Sequence, residues 1–232
     1  KRPQSYYRDI RWNRGIKLYI AVHRPQSEDK ELKTSYWGWP RVSPNWTWPG
    51  REGETFKVDV YSGCEEVELF LNGASLGTQP SGREERHISS FEVPYEAGTL
   101  TAVGLDDGKR VAEWEIQTVD ESQGIRLIPD RTEIAAERDA LCFVTVEVVD
   151  TMGRVVLNAE DTLFFTVQGE GALAAVGSGN PVSKESYRGN QRRAFEGRCL
   201  VVVKSNGTAG EITLRAQADG LEASEVTIEA LG

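Results

Sequence analysis

Paired carboxylates are the residues of this sequence that could carry out acid–base chemistry. They are Glu65-Glu66, Glu84-Glu85 and Asp106-Asp107. Cleavage of a glycosidic bond needs two carboxyl groups roughly 5–10 Å apart, one as the acid and one as the base or nucleophile. Each of these pairs falls in a predicted turn or polar loop, where adjacent acids are usually solvated charges. We therefore expect none of them to be catalytic.

The tryptophans are the most unusual feature, because five of the six lie in the first 50 residues. Trp37 and Trp39, and likewise Trp46 and Trp48, are two positions apart, so the rings of each pair point the same way. Flat indole rings suit the C–H face of a sugar, which makes carbohydrate contact one interpretation. We favour the other, packing between domains, because so many exposed rings would form a large apolar patch.

Cysteines and histidines give no sign of a metal or redox centre. Cys142 and Cys199 both fall on the inward face of predicted strands, as in the intersheet disulfide of immunoglobulin domains. No tryptophan follows residue 118 to pack on such a bridge, so we expect two close but free buried thiols rather than a disulfide. His23 and His87 have no His or Cys at ligand spacing. With no P-loop, nucleophile elbow or dinucleotide motif, no metal and no cofactor is expected.

Length and charge exclude several classes of partner. The chain has 232 residues and a formal net charge of −9, with 36 acidic against 27 basic residues. The sequence has no basic stripe, so it offers no positively charged surface to a nucleic acid or to a membrane. The longest apolar runs are of strand length, too short for a membrane helix. The length allows one large or two small domains.

Short strands separated by turns must position these residues. Residues 54–118 alternate apolar and polar positions, with Asn72-Gly73 and Asp106-Asp107-Gly108 at tight hairpin turns. The same pattern returns after the polar stretch 119–124, with roughly seven strands, the number in an immunoglobulin-like domain. The stretch 177–195 is polar and lacks strand periodicity, and loops of that length are often functional or docked on a neighbour.

These elements predict an all-β protein of two tandem immunoglobulin-like β-sandwiches, preceded by an aromatic-rich segment with a short helix at 5–13. The predicted domains are 1–50, 51–118 and 119–232. The first contains the helix and five of the six tryptophans, and the other two are the sandwiches.

Several motifs together resemble glycoside hydrolase family 2. The string Asn45-Trp46-Thr47-Trp48-Pro49-Gly50 is followed by Val-Asp-Val-Tyr-Ser at 58–62 and Glu-Val-Glu-Leu-Phe-Leu-Asn-Gly at 66–73. This order is similar to the region after the catalytic barrel in bacterial β-galactosidases. The family commonly reads H-W-N-W-x-G there, so Asn45 and Thr47 depart from it. Residues 1–13 resemble the last helix of the family's (β/α)₈ barrel, and the segments 143–169 and 179–197 resemble its C-terminal modules.

The resemblance implies that the chain is the non-catalytic C-terminal part of a retaining glycosidase for terminal β-linked galactose or a related sugar. Its two catalytic glutamates would lie in barrel strands that precede residue 1, and no residue here matches either. The implied partners are the catalytic barrel of the parent chain and, through the parent enzyme, a carbohydrate substrate. The implied role is to support the barrel and to shape access to it. The implied location is periplasmic or extracytoplasmic in a Gram-negative bacterium, and self-association of the fragment is expected through its bared aromatic surface.

Two other interpretations stay open at this stage. A non-enzymatic surface or adhesion module could share the fold, because one fold serves many functions. An autonomous carbohydrate-binding module would use the tryptophan cluster itself. The helix around Tyr6–Trp12 favours the hydrolase, since an adhesin array has no reason to begin with a barrel-like helix.

Overall fold

A computed structural model describes residues 1–25 and 38–232 of the chain. The chain divides into two compact units, Lys1–Thr118 and Val119–Gly232, and each is a pair of β-sheets. The predicted all-β fold behind a short helix is confirmed. Trp37 lies outside the described residues. None of the helices in the described part of the chain has the length and apolar character needed to cross a membrane.

In the described residues 1–25 and 38–118, the first unit consists of one helix and eight strands. They are α1 (Pro3–Arg11), β1 (Leu18–His23), β2 (Val42–Ser43), β3 (Thr55–Ser62), β4 (Glu66–Leu71), β5 (Ala74–Pro80), β6 (Ile88–Pro94), β7 (Thr99–Asp106) and β8 (Lys109–Gln117). Two antiparallel four-stranded sheets form, in the orders β2-β1-β3-β6 and β5-β4-β7-β8. Alternate residues of β3 and β4, such as Val58, Val60, Val67 and Leu69, are fully buried between them.

The first sandwich begins earlier in the chain than residue 51, where the sequence analysis placed its start. Strand β1 pairs with β3 from Leu18 opposite Ser62 to Val22 opposite Val58, and β2 pairs with the end of β1. Five consecutive residues of β1 are buried because the second sheet covers one face of this strand and α1 covers the other. A run that is apolar on both faces has no period of two, so its place in a sheet could not be read from alternation.

Tight turns with positive φ join the strands where the sequence predicted them. Asn72 and Gly73 have φ of 51° and 82° between β4 and β5, and Asp107 and Gly108 have φ of 51° and 70° between β7 and β8. Both central residues of a type I′ turn require φ > 0, which Asn, Asp and Gly tolerate best. The hairpin prediction is confirmed at both places.

The second unit contains nine strands. They are β9 (Gly124–Pro129), β10 (Glu133–Ala135), β11 (Leu141–Val149), β12 (Thr162–Gly169), β13 (Gly171–Gly177), β14 (Gln191–Arg193), β15 (Arg198–Ser205), β16 (Gly210–Gln217) and β17 (Ser224–Leu231). One sheet has the order β10-β17-β16-β12-β14 and the other β13-β15-β11-β9. Inward residues such as Val144, Val146, Val201, Leu163 and Ile212 fill the space between the sheets.

The prediction that Cys142 and Cys199 lie close together is wrong. Both are buried in the core, but they lie on adjacent strands of the same sheet, with Cys142 opposite Val203 and Cys199 opposite Val146. Four positions along a strand separate them by roughly 13 Å, whereas a disulfide needs Cα atoms within about 7 Å. Burial raises the pKa of the two thiols to about 11 and about 12. They therefore pack as small apolar groups.

The polar stretch 177–195 folds around one buried arginine. Arg192, in β14, is 0% exposed, and its guanidinium donates to the backbone carbonyls of Glu185 and Ser186 at 3.1 and 3.4 Å. It also lies 5.0 Å from the centre of the Tyr187 ring, and the Glu185 carboxylate is 3.7 Å away. The loop thus surrounds the positive charge of Arg192 with groups that pair with it. Strand β14 holds this arginine at the edge of the sheet, and it is too short and polar to be predicted from the sequence.

Candidate functional site

Helix α1 covers the outer face of sheet β2-β1-β3-β6 and gathers the aromatic residues there. It begins at Pro3, whose fixed φ suits the first helical turn. Its Tyr6, Tyr7 and Ile10 pack against Tyr19 and other residues of the sheet, and Ile10 is buried. We call the following set the aromatic face: Tyr6, Tyr7, Tyr19, Trp39, Tyr61 and Trp114.

Ring contacts hold the aromatic face together. Tyr6 stacks on Tyr19 with centroids 4.2 Å apart, and Tyr7 meets Tyr61 edge to face at 5.4 Å. Trp39 lies 5.1 Å from Tyr7 and donates its indole N–H to the Tyr61 hydroxyl at 3.3 Å. Burial raises the pKa of Tyr61 to about 12. This phenol therefore stays neutral at physiological pH and contributes to packing rather than to acid–base chemistry.

Trp46 and Trp48 belong to the interior of the first sandwich. Trp46 is 0% exposed, touches Phe56 and Tyr95, and donates its indole N–H to the carbonyl of Glu96 at 3.0 Å. Trp48 is half-buried and stacks on Phe56 at 5.4 Å. Trp46 has no surface to offer to a sugar. These rings pack the segment before residue 51 onto the first sandwich.

Three polar side chains from three strands meet beside the aromatic face. His23 Nε2 lies 2.6 Å from Asp59 Oδ2, and the Ser90 hydroxyl donates to Asp59 Oδ1 at 2.7 Å. Burial acts to raise the pKa of the Asp59 carboxyl, but the hydrogen bonds from His23 and Ser90 outweigh it and lower that pKa. Because the carboxylate stands between the imidazole and the hydroxyl, His23 cannot take the proton of Ser90, as a serine-hydrolase triad requires.

Sequence reasoning treated His23 as an isolated residue and did not single out its two partners. The three positions are far apart in the chain and become neighbours only through the pairings β1-β3 and β3-β6, which put Ala21 and Ser90 opposite Asp59. The one available signal was an acid, Asp59, between the two apolar residues Val58 and Val60 of a predicted strand.

Two of the three carboxylate pairs meet in space, but as turn caps. Glu65 accepts a hydrogen bond from the backbone N–H of Asp107 at 2.9 Å, and Asp106 accepts one from the backbone N–H of Glu65 at 3.0 Å. Lys17 lies 3.7 Å from Asp106. Carboxylates engaged in this way hold the ends of neighbouring strands. Across residues 1–25 and 38–232, no group of three or more His, Cys, Asp or Glu side chains is placed to hold a metal ion.

Comparison with known proteins gives this geometry its context. Residues 125–227 match the glycoside hydrolase family 2 C-terminal domain 5, and residues 53–112 match a domain of unknown function, DUF4982. A solved family 2 glycosyl hydrolase from Bacteroides cellulosilyticus is 36% identical and superposes with a TM-score of 0.94 over 100% of this chain. The chain belongs to glycoside hydrolase family 2 and corresponds to the C-terminal region of its members. The predicted resemblance is thereby confirmed.

The relatives of this family 2 region are much longer than the chain itself. A β-galactosidase of Bacteroides ovatus is 41% identical over 188 residues, which make up 81% of this chain and 22% of that protein. A β-galactosidase of Thermoanaerobacter pseudethanolicus is 32% identical over 75% of this chain and 24% of its own length. The chain also covers 30% of the B. cellulosilyticus structure. It therefore spans less than a third of each of these three proteins.

Proposed function

We propose that this family 2 region is the non-catalytic C-terminal part of a glycoside hydrolase that removes terminal β-linked galactose or a related sugar. The observation that carries the proposal is the full-length match to a part of a family 2 hydrolase, at a TM-score of 0.94. The relatives named as β-galactosidases support galactose. The acidic residues support a non-catalytic part, because the carboxylates that meet in space, around Glu65 and Asp106, are committed to backbone N–H groups.

The role of this region in the parent enzyme is to hold the catalytic barrel and shape access to it. Helix α1 turns its tyrosines toward the sandwich, but Trp12, just past its end, is 58% exposed and touched by the guanidinium of Arg14 at 4.9 Å. An exposed indole withdraws roughly 150–250 Å² from water when a partner covers it. Because residues 1–13 resemble the last barrel helix, we propose that Trp12 packs on the barrel of the parent chain.

Trp12→Ala should have different effects in the 232-residue chain and in the parent enzyme. In the isolated chain the free energy of unfolding should change by less than about 0.5 kcal/mol, because the ring is mostly solvated. In the parent enzyme the same change should lower the melting temperature by several degrees, roughly 2–4 °C for each kcal/mol lost. Calorimetry of both proteins measures the two effects.

The matched control is Met152→Ala, which removes a side chain that is 75% exposed in the second unit. It should leave both melting temperatures unchanged. If Trp12→Ala leaves the parent enzyme as stable as the wild type, docking through this residue is wrong.

Sedimentation of the isolated chain tests the further prediction that it self-associates, which Trp12→Ala should weaken. The periplasmic or extracytoplasmic location stays a prediction.

A further inference from the structure

An exposed aromatic ring stands between two amides on the outer face of sheet β10-β17-β16-β12-β14. Phe164 of β12 is 37% exposed and lies directly opposite Gln191 of β14 and Gln217 of β16. Residues opposite each other in an antiparallel pair point to the same face, with Cβ atoms about 4.5–5.5 Å apart. The ring therefore has a glutamine on each side, and both glutamines are exposed.

A surface cavity of about 400 Å³ opens beside this ring. Its volume falls in the range of roughly 300–1,000 Å³ that is typical of small-molecule sites. Besides the ring and one of the glutamines, the lining includes two carboxylates at the ends of neighbouring strands. The lining residues are Asp161, Thr162, Phe164, Gln191, Ala218 and Asp219.

The chemistry of this lining fits a neutral molecule that has an apolar face and many hydroxyl groups. The electron-rich face of Phe164 attracts C–H groups. Glutamine amides both donate and accept hydrogen bonds, and the carboxyl oxygens of Asp161 and Asp219 accept them from hydroxyls. Flat pyranose rings present these groups in that arrangement.

The charges around the ring disfavour an anionic ligand. Two arginines lie on the same face of this sheet, but Arg193 pairs with Glu160, and Arg215 pairs with Glu225 at 2.7 Å. The cavity itself is lined by two aspartates and no basic residue. A phosphate or a uronic acid would thus meet uncompensated negative charge.

We propose that the face centred on Phe164 is a carbohydrate-binding site for a neutral oligosaccharide. This role rests on the proposed function: the site would hold one part of a polymeric substrate while the catalytic barrel acts on another part of the same polysaccharide. The site lies in the second unit and uses none of the tryptophans, so it stands or falls independently of the proposed docking through Trp12.

The test is a titration of the ¹⁵N-labelled 232-residue chain with two neutral probes, β-1,4-galactotetraose and cellotetraose, to about 10 mM. We expect at least one to give saturable shifts at the backbone amides of 161–164 and 217–219, with a Kd on the order of 1 mM, as a small exposed site gives. A hyaluronan tetrasaccharide, which contains glucuronic acid, should give no saturable shifts.

Phe164→Ala should weaken binding at least about tenfold. The matched control is Phe143→Ala, which removes a phenylalanine that is 41% exposed on the other sheet of the same sandwich, and it should bind as the wild type does. If Phe164→Ala loses its dispersed spectrum, Gln217→Ala takes its place, with a loss of about threefold or more expected.

Three results would overturn the proposal. They are the absence of saturable shifts with both neutral probes, equal affinity of the Phe164 and Phe143 variants, and tighter binding of the anionic tetrasaccharide. Shifts confined to the tryptophans of the first unit would instead place carbohydrate contact there, and they too would count against this site.

Discussion

Replacing Trp46 by alanine is expected to lower the free energy of unfolding of the first unit by about 3–5 kcal/mol. The ring is 0% exposed and sits between Phe56 and Tyr95, so its removal leaves a cavity among side chains that cannot close it. The carbonyl of Glu96 also loses the indole N–H that it accepts at 3.0 Å. This loss is a large part of the stability of an ordinary domain.

Urea unfolding followed by tryptophan fluorescence measures the loss selectively, because all six tryptophans of the chain precede Val119 and therefore report on the first unit. The control is Trp12→Ala, which removes the same side chain from a mostly solvated position. Equal midpoints for the two variants would show that Trp46 is not part of the core. Trp46→Phe, which keeps a ring but loses the N–H donor, should fall between the wild type and Trp46→Ala.

Replacing Arg192 by methionine is expected to cost the second unit about 2–4 kcal/mol and to release the loop 178–190. The buried guanidinium is the donor for the backbone carbonyls of Glu185 and Ser186. Hydrogen bonds to a charged group are worth roughly 1.5–3 kcal/mol each, and methionine returns part of this through packing. The Glu185 carboxylate, whose pKa is lowered chiefly by the backbone N–H of Arg193 and in part by the charge of Arg192, also loses one of its partners.

Limited digestion with chymotrypsin reports the release, because Tyr187 lies in this loop and stacks under the guanidinium at 5.0 Å. Cleavage after Tyr187 should become many times faster in Arg192→Met. Arg188→Met, which removes an exposed arginine four residues earlier, should be cleaved like the wild type. If both variants and the wild type are cleaved at one rate, the loop does not depend on Arg192.

The strands and turns of both sandwiches could be predicted because their signals are local. Alternation in β3 and β11 and the Asn72-Gly73 turn depend on neighbours within a few residues. The inward face of Cys142 follows from the same alternation. Alternation tells which face of a strand a side chain lies on, but it does not tell which strands are neighbours or in what register they pair. This is why the two cysteines were wrongly expected to be close.

The site could be predicted only in part. Composition singled out the aromatic segment, yet the rings of Trp39 and Trp46 look equivalent in the sequence and lie on opposite faces of one sheet. The contacts of Asp59 with His23 and Ser90 depend on two strand pairings that sequence patterns do not specify. The row of Gln191, Phe164 and Gln217 also arises from register, in part with β14, which is too short to show a period.

The most direct test of the whole account is the rate of hydrolysis of p-nitrophenyl β-D-galactoside, measured side by side for the purified 232-residue chain and for its parent enzyme. We predict turnover by the parent and none above buffer for the chain, because its carboxylate clusters are engaged with backbone N–H groups and the catalytic barrel is supplied by the parent. Turnover by the chain that persists through purification and disappears in Glu65→Gln or Asp59→Asn would contradict the account, as would a parent enzyme that does not hydrolyse a β-galactoside or a related glycoside.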